Sequence, residues 1–490
     1  MSGQRFPLLA AMLIGLAALA GCGGESGGPI RVSAIGDAPR ALNPNLDALD
    51  PPAAFLAEAT AQGLVRFDGA GEIEPALAQS WIVSDDGLRY TIRIRPAHWA
   101  DGGRVTAEQV AARLRAALSR ASRNPLKLSL GAVESVVPMT DEVIEIKLRG
   151  PRPNFLQLLA QPEMAITMGG HGTGPYRVGA RDGPAVRLAL PRVGTNDVDD
   201  DQTDGLPAPP AVLLRGEPAP LAIASFLNGD ADLVIGGTIA DLPYARRADI
   251  PASRLALEPV QGMFGLVFLN GDGALRDAGV RRALAMAVDR EGIATEPLLS
   301  GFEPRTAILP TGVDELPSPA RPDWADQPLA DCRAAAAAAI RAYGRPVRLR
   351  IAVADTPGHR LLFAHLRRDW AAIGVTLEPA TRGAPADLAF VDQVAPLLSG
   401  AWYLRHFHCE ESPVCDPEAD AALEEARAAP DAEARRAALA RADRILTGIT
   451  PWIALGRPVR WSLAAQRLNG FHPNQFARHP ALTLVVPDRR

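Results

Sequence analysis

With 490 residues the chain is too long for one compact core, because domains run to about 100–200 residues, so two or three lobes are expected. Hydrophobic residues at 47% and charged residues at 22% are ordinary for a soluble globular protein. The net charge of -5, with no basic tract anywhere, argues against nucleic acid as a partner, since phosphate neutralisation favours a basic face.

At the N-terminus Arg5 precedes an apolar run over residues 8–20. The run is shorter than the roughly 20 residues needed to span a bilayer, so it reads as an export signal over residues 1–22 and not as a membrane helix. It ends in Leu19-Ala20-Gly21-Cys22, which resembles the lipobox of bacterial lipoproteins and makes Cys22 the expected lipidation site. One acyl chain anchors only marginally, whereas several on one cysteine would hold a protein to its membrane. Residues 23–29 are Gly-rich and read as a flexible tether.

Strand-like and helix-like patterns then alternate with no fixed repeat, which predicts an α/β body with α+β elements. Leu88, Tyr90, Ile92 and Ile94 alternate with Arg89, Thr91 and Arg93 behind the turn Asp85-Asp86-Gly87, the pattern of a half-buried strand. Ile144, Ile146 and Leu148 give a second strand able to share its sheet. Between them Thr106 and Gln109 have capping-box spacing, and Val110, Leu114 and Leu118 line one helix face. Trp99 in front of this helix reads as buried architecture. The acidic, Pro/Gly-rich stretch 194–210 reads as a surface loop. Val280, Leu284 and Val288 predict a packing helix that stops near Gly292, with Arg281 and Arg282 as surface or interlobe ion pairs. After a Pro-rich stretch over 316–328, an Ala-rich helix is expected at 332–343. A strand at 349–353, a helix at 359–373 and a strand at 374–378 follow, in the order of a crossover unit. Helices over 417–428 and 431–446 precede the apolar close.

Cys332, Cys409 and Cys415 remain after Cys22 is assigned. In an oxidising compartment Cys409 and Cys415 are placed to close a short loop, although a longer bridge from Cys332 to either stays open. No Cys/His spacing suggests structural zinc. Gly-x-Ser-x-Gly, P-loop, His-Glu-x-x-His and Ser-x-x-Lys motifs are missing, so hydrolase, ATPase and metalloprotease chemistry lack their usual carriers, and no enzyme and no cofactor is expected.

An ordered series of motifs resembles the peptide/nickel class, family 5, of ABC-transporter substrate-binding proteins. It runs through Gly63-Leu64-Val65, Glu74-Pro75-Ala76-Leu77-Ala78-Gln79-Ser80-Trp81 and Trp99-Ala100-Asp101-Gly102, then Gly172-Thr173-Gly174-Pro175-Tyr176. Leu266-Val267-Phe268-Leu269-Asn270, Val280-Arg281-Arg282-Ala283-Leu284 and Asp416-Pro417-Glu418-Ala419-Asp420 continue it. The resemblance implies a two-lobed periplasmic-binding-protein fold of type II around an interlobe cleft. Lobe I would take residues 30–269, with an extra subdomain inserted at about 51–164. Lobe II would take 270–461, and 462–490 would return to lobe I. It further implies a monomeric, non-enzymatic receptor at the periplasmic side of the membrane, capturing a peptide or peptide-like solute for an ABC permease and its ATPase.

Within that resemblance the segment after the late lobe II strand lines the cleft, which makes Asp392, Trp402, Tyr403, Arg405 and His406 the expected ligand contacts. Asp392 would meet an amino terminus, Arg405 a carboxylate, and the aromatics would supply apolar walls. This segment and the acidic run 199–205 depart from the family pattern, so a transport-inactive scaffold or signalling lipoprotein is an alternative. His406 and His408, if extended, would share one face, which leaves a nickel or metallophore binder as a further alternative.

Overall fold

The structure, a computed structural model, describes residues 28–99, 102–191, 210–316, 318–381 and 383–484. The expected signal segment, Cys22 and the acidic run 199–205 lie outside the described residues.

Three larger sheets carry the chain. The first has seven strands in the order Arg177–Asp182, Ala185–Ala189, Val212–Glu217, Ile30–Ile35, Leu233–Thr238, Arg460–Ala464 and Leu255–Leu257. Its central strand Ile30–Ile35 runs parallel to both neighbours. The second has five strands in the order Val375–Pro379, Val347–Ala352, Leu388–Val394, Gly262–Phe268 and Trp452–Gly456. The third is an antiparallel sheet of four strands, Ala78–Val83, Arg89–Ile94, Val143–Leu148 and Val133–Pro138. Together they form a mixed α/β, two-lobed architecture.

Both strands read from period-2 alternation are present as direct neighbours, with Tyr90 opposite Ile146 and Ile92 opposite Ile144. Tyr90, Ile92 and Ile94 are buried while Arg89, Thr91 and Arg93 face solvent. Helix Ala107–Leu118 supplies Val110, Ala111 and Leu114 to the same core. Its capping box is complete: Thr106 Oγ1 accepts from the Gln109 N–H at 3.4 Å, and Gln109 Oε1 accepts from the Thr106 N–H at 3.1 Å. Gln109 Oε1 also takes the Trp99 indole N–H at 2.9 Å, so Trp99 is tied to the helix start.

The chain passes from the seven-stranded to the five-stranded sheet over residues 258–261 and returns over 457–459. The expected lobe crossing near Asn270 lies after strand Gly262–Phe268, the first strand of the five-stranded sheet. Gly262–Phe268 is buried along nearly its whole length and pairs with Leu388–Val394 and Trp452–Gly456. An unbroken apolar strand carries no face pattern to say which sheet it joins.

The crossover unit is present, with Val347–Ala352 parallel to Val375–Pro379 and helix Pro357–Ala371 between them. The Ala-rich helix spans Leu329–Tyr343, three residues longer at its start than expected. The packing helix ends earlier than expected, at Ala287, because Val288 is extended and Asp289 caps a new short helix, Arg290–Ala294. Arg281 is not a surface ion pair. It is buried, and its guanidinium donates to the carbonyls of Leu275 and Ile449, each at 2.8 Å, which closes the C-terminal end of helix Ala432–Ile449. Arg282 is the exposed partner of Asp323.

The Gly172-to-Tyr176 block lies against the first helix, Pro51–Ala61. A Cβ on Gly174 would sit 2.3 Å from the Thr60 carbonyl carbon, so only glycine permits this approach.

Asp443, buried on helix Ala432–Ile449, accepts the Ala320 N–H at 2.6 Å through one oxygen, and its other oxygen has no partner among the described residues. Burial pushes its carboxyl up to about 6. The folded state thus holds this proton more tightly than the unfolded chain. The resulting stabilisation is complete below the unfolded pKa and lost as pH rises through about 6. Asp443→Asn is expected to raise stability by about 1–2 kcal/mol at pH 8 and to change little at pH 4, as checked by urea titration at both.

Candidate functional site

A cavity of about 930 Å³ opens between the sheets. The first helix contributes Phe55 and Glu58, and the chain beyond the four-stranded sheet contributes Gln161 and Glu163. Gly237, Thr238, Arg460 and Trp461 enter from the seven-stranded sheet, and Val267, Val391 and Gln393 from the five-stranded sheet. Helix Gly400–Arg405 and the turn after it supply Trp402, Arg405 and His406. A space of this size, largely apolar with a few charged groups, suits a small solute.

At its floor the Trp461 indole packs directly on Gly237, where a Cβ would lie 2.1 Å from the ring. The indole N–H donates to the Thr238 carbonyl at 2.9 Å. Trp461 follows immediately after the return crossing, so it joins the cavity to the junction of the two large sheets.

Of the five expected contacts, Trp402, Arg405 and His406 line the cavity. Asp392 does not. Strand Leu388–Val394 turns Val391 and Gln393 inward and Asp392 to the opposite face, where Arg460 Nη1 donates to its carboxylate at 2.7 Å. That pair links the two large sheets. Tyr403 is also displaced. Its ring is fully buried under the Arg305 guanidinium, its hydroxyl has no partner among the described residues, and burial pushes the phenol up to about 12.

Burial lowers the pKa of His406, which favours the neutral ring. Its Nδ1 lies 2.8 Å from the Trp402 carbonyl and must donate there, which leaves Nε2 as an acceptor. The Gln393 amide 3.2 Å away then presents its NH₂ and not its oxygen, an orientation fixed by the network and not by the atom positions. His408 turns elsewhere, 3.6 Å from the Asp420 carboxylate. The two imidazoles do not share a face because the segment is helix and turn, not strand. Arg405 pairs with Glu424 at 3.4 Å, and burial lowers its pKa. Cys409 is joined to Cys415, while Cys332 is free and buried. The resulting loop brings Glu411, Ser412 and Pro413 to the cavity edge.

Several lining groups escaped the sequence reading. Glu58 and Glu163 sit on either side of Arg478, at 3.8 and 3.9 Å. Burial, with Glu163 adding repulsion, raises the Glu58 carboxyl against the pull of Arg478 and His479. Glu58 is the one charged residue in helix Pro51–Ala61, and a lone charge on an otherwise apolar helix was the available signal. Behind His479 the buried Glu258 accepts from Ser462 Oγ at 2.7 Å and the Asn474 N–H at 2.8 Å, and lies 2.9 Å from His479 Nε2, fixing the C-terminal segment against the cavity.

Comparison with known proteins agrees with this geometry. Residues 72–403 match the family described as bacterial extracellular solute-binding proteins, family 5 Middle. The glutathione-binding protein GsiB of Escherichia coli O1:K1 / APEC is 32% identical over 164 residues, which is 30% of this chain and 31% of the length of GsiB. Haemophilus influenzae OppA in complex with RPPGFSPFR superposes with a TM-score of 0.77 at 20% identity, covering 92% of this chain and 97% of that one. The Escherichia coli murein tripeptide binding protein MppA gives 0.77 at 20% identity over 93% and 98%, and an unliganded open form of MppA gives 0.64 at 20% identity over 93% and 96%. With a family match over most of its length and a cavity set between two lobes, the chain belongs to the bacterial extracellular solute-binding proteins, family 5.

Proposed function

We propose that the chain is the substrate-binding component of an ABC transporter, capturing a peptide or peptide-like solute outside the inner membrane and delivering it to a permease and its ATPase without covalent chemistry. The observation that carries this reading is the cavity of about 930 Å³ whose walls come from both large sheets. A solute held there favours the closed arrangement only through contacts that both lobes make together, and that arrangement is what a permease would read. Carboxylates on one wall, Glu58 and Glu163, and the Arg405 guanidinium on another suit a solute with an amine and a carboxylate. In this reading lobe I takes residues 30–257 and 460–484 and lobe II takes 262–456, with the connecting residues as the hinge. Lipid on Cys22 keeps the monomer at its membrane.

Calorimetric titration with di- and tripeptides and glutathione is expected to give saturable one-site binding, accompanied by ligand-dependent compaction in small-angle scattering. Indifference to every peptide, with heat released by a sugar or a metal chelate, would remove the peptide part of the reading.

A further inference from the structure

Beside the main cavity lies a side pocket of about 40 Å³, and Trp402, Arg405, Leu128 and Ser129 line both. Four guanidiniums line the small pocket: Arg152, Arg405, Arg427 and Arg435. Two carboxylates answer them. Glu424 serves both Arg405, at 3.4 Å, and Arg427, while Asp314 lies 3.5 Å from Arg435. Arg152 has no carboxylate within 4.0 Å among the described residues, and donates only to the carbonyls of Pro151 at 2.8 Å and Arg427 at 3.2 Å. Burial, with Arg435 adding repulsion, pushes its guanidinium down to about 9. The cluster carries two positive charges more than its carboxylates neutralise, buried at Arg435 and partly screened by water at Arg405 and Arg427, and like charges this close repel.

The pocket also joins different parts of the molecule. Arg152 follows strand Val143–Leu148 of the four-stranded sheet, whereas Arg405, Arg427 and Arg435 stand on helices packed against the five-stranded sheet. Nearby, Asn154 Nδ2 donates to the Leu398 carbonyl at 2.7 Å and Gln161 Nε2 to the Pro396 carbonyl at 2.8 Å, so the two parts already touch here. Repulsion between Arg152 and the other three opposes that contact.

From the four converging guanidiniums, their two carboxylates and their position between the two parts, we infer that this pocket is an anion subsite that binds one carboxylate or phosphate-type oxyanion and thereby favours closure of the cleft. The space holds a carboxylate-sized group, and planar guanidiniums suit oxyanions in paired hydrogen bonds. The inference rests on the cleft reading above. The oxyanion comes either from an acidic group on the solute or from a free anion bound beside it.

The intact protein and Arg152→Gln are compared at low ionic strength, by thermal unfolding with inorganic phosphate and by calorimetry with the tripeptides Ala-Ala-Glu and Ala-Ala-Gln. For a free anion, millimolar phosphate raises the wild-type midpoint by about 2 °C or more, chloride at matched ionic strength does not, and Arg152→Gln loses the shift. For an acid on the solute, Ala-Ala-Glu binds about tenfold tighter than Ala-Ala-Gln, and Arg152→Gln, whatever it does to the affinity for both by relieving the repulsion, removes that preference. Either result supports the subsite. Phosphate acting no differently from chloride, together with equal affinity for the two peptides, overturns it. If neither peptide binds, the peptide reading fails on its own, and the phosphate result alone decides for or against the pocket.

Discussion

Trp461→Ala is expected to cost about 3–5 kcal/mol of stability and to abolish solute binding, whereas Trp461→Phe keeps most of both. The indole is fully buried, fills the space left open by Gly237 and belongs to a core that contains residues of both large sheets, among them Val234 and Phe264. Truncation would leave a void among closely packed side chains, where surrounding structure relaxes only in part. It would also leave the Thr238 carbonyl without the indole N–H. Urea midpoints and calorimetry on the same preparations check the two effects. A loss of binding without a loss of stability would mean that Trp461 touches only the ligand.

Asp369→Ala is expected to have a comparable effect confined to the five-stranded lobe. The carboxylate is completely buried and accepts from Arg333 Nη2 at 2.6 Å, from Arg368 Nε at 3.0 Å and from the Asp289 N–H at 2.9 Å. It therefore ties helix Pro357–Ala371 to helix Leu329–Tyr343 and to the cap of helix Arg290–Ala294. Removing the buried carboxylate leaves the Asp289 N–H without its acceptor and loses charge-assisted bonds from Arg333 and Arg368, whose guanidiniums stay solvated, which together costs about 3 kcal/mol. Asp369→Asn retains an acceptor and loses less. Denaturant titration of both variants gives the comparison, and equal stability for wild type and Asp369→Ala would contradict the assignment.

The fold was legible wherever periodicity or caps are local. Alternation at Leu88–Ile94, the Thr106/Gln109 box and the strand–helix–strand order after Gly344 each specify an element from neighbouring residues. The crossing near Gly262 was not legible, since sheet membership of an all-apolar strand depends on partners more than a hundred residues away, at Leu388–Val394 and Trp452–Gly456. The site divided in the same way. Trp402 and His406 lie four residues apart on one helical face, so one facing the cavity brings the other, while Tyr403 points about 100° away into the core. Strand parity decides between Asp392 and Gln393, and parity follows only from register. The Arg152 pocket needed arginines from four separate segments and has no linear signature.

The most direct test is a crystal structure with the tightest-binding peptide or with glutathione. Ligand density is expected inside the large cavity, touching Trp402 or Arg405 on one side and the wall of Phe55 and Glu58 on the other. Density at saturation in the separate cavity of about 530 Å³ beside Arg290 and Trp324, with the space between the sheets left without ligand, would contradict it.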